Sequence, residues 1–103
     1  MYLLHFLVPE THLESVKEAI FATGAGEIGH YAHCAWQTLG MGQFMPLSGS
    51  NAFIGVVDTL EKVAEYKVEI ACEQTRLEAA VTALKKSHPY ETPAYHVVKC
   101  EDI

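Results

Sequence analysis

The opening run Met1 to Val8 is apolar at nearly every position, with Tyr2, Leu4, Phe6 and Val8 on one side of an extended segment and Leu3, His5 and Leu7 on the other. A strand apolar on both faces belongs in the middle of a sheet. After Pro9 the period changes. Leu13, Val16, Ala19, Ile20 and Thr23 recur at steps of three and four, outside which fall Glu14, Lys17 and Glu18, so an amphipathic helix is predicted over 11–23. Gly24-Ala25-Gly26 breaks it, and Tyr31, Cys34, Trp36 and Thr38 give residues 28–39 the composition of a second strand. Gly40, Gly42, Pro46, Gly49 and Gly55 then punctuate a long hairpin-like excursion over 39–58. From Ala64 the alternation is clean, with Tyr66, Val68, Ile70 and Cys72 on a dry side and Glu65, Lys67, Glu69 and Glu73 on a wet one. Leu77, Ala80, Val81 and Leu84 mark a second helix over 76–87, stopped by Pro89, and residues 94–100 form the last strand.

The element order is βαββαβ, which predicts an α+β ferredoxin-like sandwich. Four antiparallel strands in spatial order 4-1-3-2 would carry both helices on one face, in one domain over 1–103. Three connections then meet at one end of the sheet: Val8-Pro9-Glu10, the 39–58 excursion, and His88 to Pro93. The glycine loop at 24–29 lies at the other end. Leu3, His5, Leu7, His96 and Val98 would occupy the helix-free face, which is apolar enough to call for self-association.

Half of the 103 residues are hydrophobic, the makeup of one globular domain. A formal charge of −6 repels phosphate backbones, so nucleic acid is not an expected partner. The apolar start lacks a basic leader and ends at Pro9-Glu10, so it reads as a strand and neither a signal nor a membrane span. Cys34, Cys72 and Cys100 are odd in number and lack CxxC spacing, which points to a reducing cytoplasm and to buried thiols acting as small hydrophobes.

The segment Ser87-His88-Pro89-Tyr90-Glu91-Thr92-Pro93-Ala94-Tyr95 sets two prolines around hydrogen-bonding side chains and must be stiff. Gly24-Ala25-Gly26-Glu27-Ile28-Gly29 has the spelling of a dinucleotide loop, but it follows a helix and enters a strand, so a helix C-cap and a turn account for it. Six histidines raise the question of a divalent transition metal. His88 and Glu91, on the stiff loop, are the most plausible ligand pair, with His33 and Cys34 as further donors from another element or subunit. Catalysis by Cys34 as the nucleophile of a small hydrolase is the other alternative, although no spacing supplies it with a base.

Taken together, Val8-Pro9-Glu10, Gly24 to Tyr31, His33-Cys34, Leu39 to Phe44, Asn51 to Gly55 and His88 to Tyr95 resemble a known pattern. The chain is similar over nearly its whole length to the PII-like, CutA-like domain inserted in dinuclear-metal proteins of the YqfO and YbgI type, in a small freestanding form. The resemblance implies a trimer of ferredoxin-like subunits, with the excursion corresponding to the partner-contacting loop of PII proteins. The metal ligands of the large members lie in the host domain and do not carry over. Thr92 and His96 depart from the family's usual Pro-Tyr-Glu-Glu-Pro-Ala-Tyr-Asp, and no nucleotide signature of the PII type is recognisable. The expectation is therefore a non-catalytic, ligand-responsive regulatory module that binds a small molecule or metal, and through it a partner protein. Its expected ligand-binding residues are His88, Tyr90, Glu91, Gly40, Gly42 and Phe44.

Overall fold

In the computed structural model, which describes residues 1–103, one four-stranded antiparallel sheet carries two helices on one face. The elements are β1 (Tyr2–Val8), a 3-10 turn (Glu10–His12), α1 (Leu13–Phe21), β2 (Trp36–Phe44), β3 (Glu61–Cys72), α2 (Gln74–Ser87) and β4 (Tyr95–Lys99). Their spatial order, β2-β3-β1-β4, is the expected ferredoxin-like one.

The two-sided strand is central, with β1 pairing β3 from Tyr2↔Cys72 to Val8↔Tyr66 and β4 from Tyr2↔Lys99 to Phe6↔Tyr95. Its Leu4, Phe6 and Val8 join Val68, Ile70 and Cys72 beneath Leu13, Val16 and Ile20 of α1 and Ala80 and Leu84 of α2, and all of these are buried. That single layer between sheet and helices is the core, since burial of apolar surface is what offsets chain ordering.

Two boundaries differ from the sequence reading. The second strand runs from Trp36 to Phe44, later than the expected 28–39, because residues 26–35 are folded back on themselves. Ile28 and Tyr31 exchange backbone hydrogen bonds of 2.8 and 3.0 Å across a tight turn, and Gly29 and His33 sit at φ of 57° and 59°. Left-handed residues cannot continue a strand. The excursion correspondingly shrinks to residues 45–60, and Gly40 and Gly42 lie within β2 instead of a loop. The β2–β3 hairpin outreaches the helices and stretches the molecule to 46 × 25 × 24 Å, which leaves Leu39 and Met41 exposed although they share the helix-side face.

The glycine motif is a helix terminus. Gly24 and Gly26 have φ of 93° and 84°, and Gly26 donates to the Ala71 carbonyl at 2.8 Å. Arg76 lies over Gly24 and donates to the Thr23 carbonyl at 3.1 Å. Gly24→Ala should therefore lower stability by about 1 kcal/mol, from strained φ plus displacement of the Arg76 guanidinium, as read by urea unfolding. Of the three free cysteines only Cys72 is buried, whereas Cys34 and Cys100 are half-exposed, so the expectation of three buried thiols holds for one. Burial raises the Cys72 thiol pKa.

Candidate functional site

The three corners do meet at one end of the sheet. His88, 6% exposed, ends α2 and reaches across to β1, where its Nε2 lies 2.6 Å from the Leu7 carbonyl oxygen. Its Nδ1 accepts the Tyr90 backbone N–H at 3.1 Å. A ring that accepts at Nδ1 and faces a carbonyl at Nε2 is the neutral Nε2–H tautomer. Burial lowers the His88 pKa, in keeping with that state, against the raising effect of the bond to Leu7. The histidine is thus a clamp between loop and sheet, with both nitrogens engaged.

That clamp sets Tyr90. Its ring lies 4.9 Å from His88, 6.2 Å from Phe44 at the end of β2, and 6.1 Å from Phe53 in the excursion. Phe53 in turn meets His12 edge-on at 5.7 Å, and the Glu91 carboxylate accepts the Asn51 N–H at 3.0 Å. The excursion is therefore pinned to the proline-stiffened loop by one tilted aromatic contact and one hydrogen bond.

Between them opens a cleft of about 530 Å³, lined by Leu7 of β1, Gly42 and Phe44 of β2, Phe53 of the excursion, Glu65 of β3 and Tyr90, among others. That volume is in the range of small-molecule sites. Four expected ligand-binding residues, Gly42, Phe44, Tyr90 and Glu91, line it. Gly40 lines a neighbouring depression of about 370 Å³ on the helix-free face, which shares Leu7, Gly42 and Glu65 with the cleft. His88 stands behind Tyr90 and supports the wall without lining it.

Sequence reasoning missed Glu65, which it placed on the wet side of β3. The residue is 7% exposed, and its Oε2 is buried without a hydrogen-bond partner. The Tyr90 hydroxyl is buried and unpartnered as well. Desolvation raises the Glu65 pKa, and burial followed by the Glu65 charge raises that of Tyr90. Room for the carboxyl comes from the facing strand: Gly40 is directly opposite Glu65, and a Cβ on Gly42 would overlap Oε1. Two glycines across from a glutamate were the available signal, but only the register connects them. Gly42→Val should force the carboxyl out, fill the cleft and cost about 1–2 kcal/mol of stability. The change would be seen as a lower urea midpoint and loss of any cleft ligand.

The four metal candidates are not assembled within this chain. His33 stacks on Phe21 at 4.8 Å and Cys34 donates its N–H to the Gly26 carbonyl, both near the Ala71 end of the sheet. His88 and Glu91 are at the Leu7 end, and no group of three or more His, Cys, Asp or Glu side chains in the molecule is arranged to hold a metal ion. The glycine loop and the cleft are at opposite ends of β1, so a Cys34 nucleophile would lie outside the cleft. No helix is long and apolar enough to cross a membrane.

The chain matches no protein-family model. It is 44% identical over 95 residues to a GTP cyclohydrolase 1 type 2 homolog of Halalkalibacterium halodurans, covering 92% of this chain and 26% of that protein. A homolog of the same description from Mycobacterium leprae is 41% identical over 90 residues, 87% of this chain and 23% of its own length. The chain thus spans about a quarter of the length of these curated relatives. Among solved structures, a Bacillus cereus protein related to NIF3 superposes with a TM-score of 0.85 at 33% identity, over 98% of this chain and 26% of that one. CutA1 from Pyrococcus horikoshii gives 0.73 at 15% identity, covering 100% of this chain and 86% of its own. The PII-like protein CutA from Nostoc gives 0.66 at 17% identity, over 98% and 82%. This chain is therefore similar over most of its length to about a quarter of proteins described as GTP cyclohydrolase 1 type 2 homologs and to a quarter of a NIF3-related protein, and it shares its fold with CutA.

Proposed function

We propose that this chain is a ligand-responsive binding module, in which a small molecule held in the cleft sets the conformation of residues 45–60 and through it the contact with a partner protein. The observation that carries this reading is the cleft itself, closed on one side by a stiff loop and on the other by the excursion, with two buried polar groups left unpartnered inside. Native proteins satisfy nearly all buried polar groups, so two orphans facing one cavity call for a guest. The excursion meets the stiff loop and the 3-10 turn through Phe53, against Tyr90 and His12, and through the Asn51–Glu91 bond. A ligand that binds its two positions with different affinity shifts it.

The module acts without turnover and as a trimer. Its helix-free face, with Val98 48% exposed and the His5 and His96 rings stacked at 4.9 Å, supplies a surface that a second copy would cover. Light scattering checks the assembly, and a strictly monomeric protein at working concentration removes the trimer. The names of the relatives attach a cyclohydrolase description to proteins about four times this length, and the activity of the whole proteins is not assigned to this segment. Native mass spectrometry of the protein drawn from host extract tests the binding reading. A retained small molecule that is lost in Gly42→Val supports it, whereas bare protein under non-denaturing conditions, with no change in the excursion on adding extract, sinks it.

A further inference from the structure

The chemistry of the cleft narrows its guest. Within one copy of the chain none of its lining residues is Lys, Arg or His, and two of them, Glu65 and Glu91, are acidic. A phosphate or carboxylate placed inside would find no cation and would meet like charge. A cationic guest would require Glu65 to ionise in a site where both charges are stripped of water, a costly arrangement without further hydrogen bonds. Phe44, Phe53 and Tyr90 provide flat walls tilted at 49° and 46° about the tyrosine, a shape that accommodates a planar ring in offset or edge contact. Among the residues lining the same space, Glu65 Oε2 and the Tyr90 hydroxyl are buried polar atoms without partners. A protonated carboxyl donates from one oxygen and accepts at the other, and a phenol does both from one atom.

We infer that the cleft takes an uncharged planar nitrogen heterocycle of nucleobase size, inserted among Phe44, Phe53 and Tyr90 with an edge carrying both a donor and an acceptor against Glu65 and Tyr90. This rests on the binding-module reading and specifies its ligand class. Such an edge satisfies both orphaned groups without burying a charge, and the aromatic walls cover the ring faces. Charged substituents of a larger ligand would have to project past the excursion into solvent.

The test uses the full chain and protein-observed NMR, with adenine and cytosine as heterocycle probes and benzoate and benzylamine as planar probes of opposite charge. Adenine or cytosine should saturate with shifts centred on Phe44, Glu65 and Tyr90, and each charged probe should bind at least about tenfold more weakly. Glu65→Leu should weaken the heterocycle by about tenfold or more, while Glu65→Gln, which keeps a donor and an acceptor, should stay within about threefold of the parent. The unliganded amide spectrum of each variant confirms that the fold is retained. Equal or tighter binding of benzoate or benzylamine at the same residues overturns the ligand class but leaves a binding cleft standing. Heterocycle affinity unchanged in Glu65→Leu overturns the assignment of the edge. Absence of any saturable probe overturns the inference, and the native mass measurement then separately decides the module.

Discussion

His88→Ala is expected to cost about 2–5 kcal/mol of folding stability and to free the Tyr90 loop. The substitution strips the Leu7 carbonyl of its partner and leaves the Tyr90 N–H without an acceptor, both at a site where the histidine is 6% exposed. An abandoned buried polar group costs about 1–3 kcal/mol, and the lost ring leaves a void as well. Urea unfolding measures the loss, and the Phe44, Phe53 and Tyr90 ring resonances report the loop. Because the folded-state pKa is lowered by burial, the unfolded chain binds the proton more readily. The histidine's contribution is therefore complete above the ordinary histidine range and is lost as pH falls through it. His88→Ala should be correspondingly less sensitive to mild acid than the parent. A variant as stable as the parent, with the same acid dependence, would show that the clamp contributes nothing.

Glu65→Leu should raise stability by about 1–3 kcal/mol at neutral pH while weakening recognition in the cleft by about tenfold or more. A buried carboxyl with an unpartnered oxygen carries its full desolvation cost, which an apolar side chain of similar length removes. The sign with pH is opposite to that of His88. The folded-state pKa of Glu65 is raised by desolvation, so the native protein holds a proton that the unfolded chain has already released. Stability then falls as pH rises from the ordinary carboxyl range toward the raised value. Glu65→Leu and Glu65→Gln should both flatten that fall, and only Glu65→Gln should keep the ligand. Urea midpoints collected from about pH 4 to pH 8 separate the two effects. A loss of stability in Glu65→Leu would mean that the carboxyl is satisfied in solution and is no vacant recognition group. Retention of a group that weakens the fold is the pattern expected where binding is selected over stability.

The spacing of apolar residues made the architecture legible. Leu4, Phe6 and Val8 alternating with Leu3, His5 and Leu7 identified the central strand, and Val16, Ile20, Ala80 and Leu84 identified the buried helix faces. These signals are local, since a side chain's face follows from its position in a period of two or 3.6. Boundaries near glycine were not legible in the same way. Gly40 and Gly42 read as loop punctuation because glycine has no side chain to show a face, yet both sit in β2, where the missing Cβ atoms accommodate Glu65. Residues 28–35 had strand composition but were turned aside by the backbone of Gly29 and His33.

Of the site, the chain by itself determined the stiff loop, its His88, Tyr90 and Glu91, and the convergence of three connections at one end, because strand order and direction follow from the βαββαβ sequence of elements. Only the tertiary structure decided what those residues do there. It spent both nitrogens of His88 on backbone groups, separated His33 and Cys34 from it, and drew Glu65 out of the solvent into a cleft with Tyr90. The reason is that the environment of a polar side chain depends on what lies opposite it. For Glu65 that was set by the β2–β3 register and by an excursion distant in sequence, neither of which leaves a periodic mark on the chain.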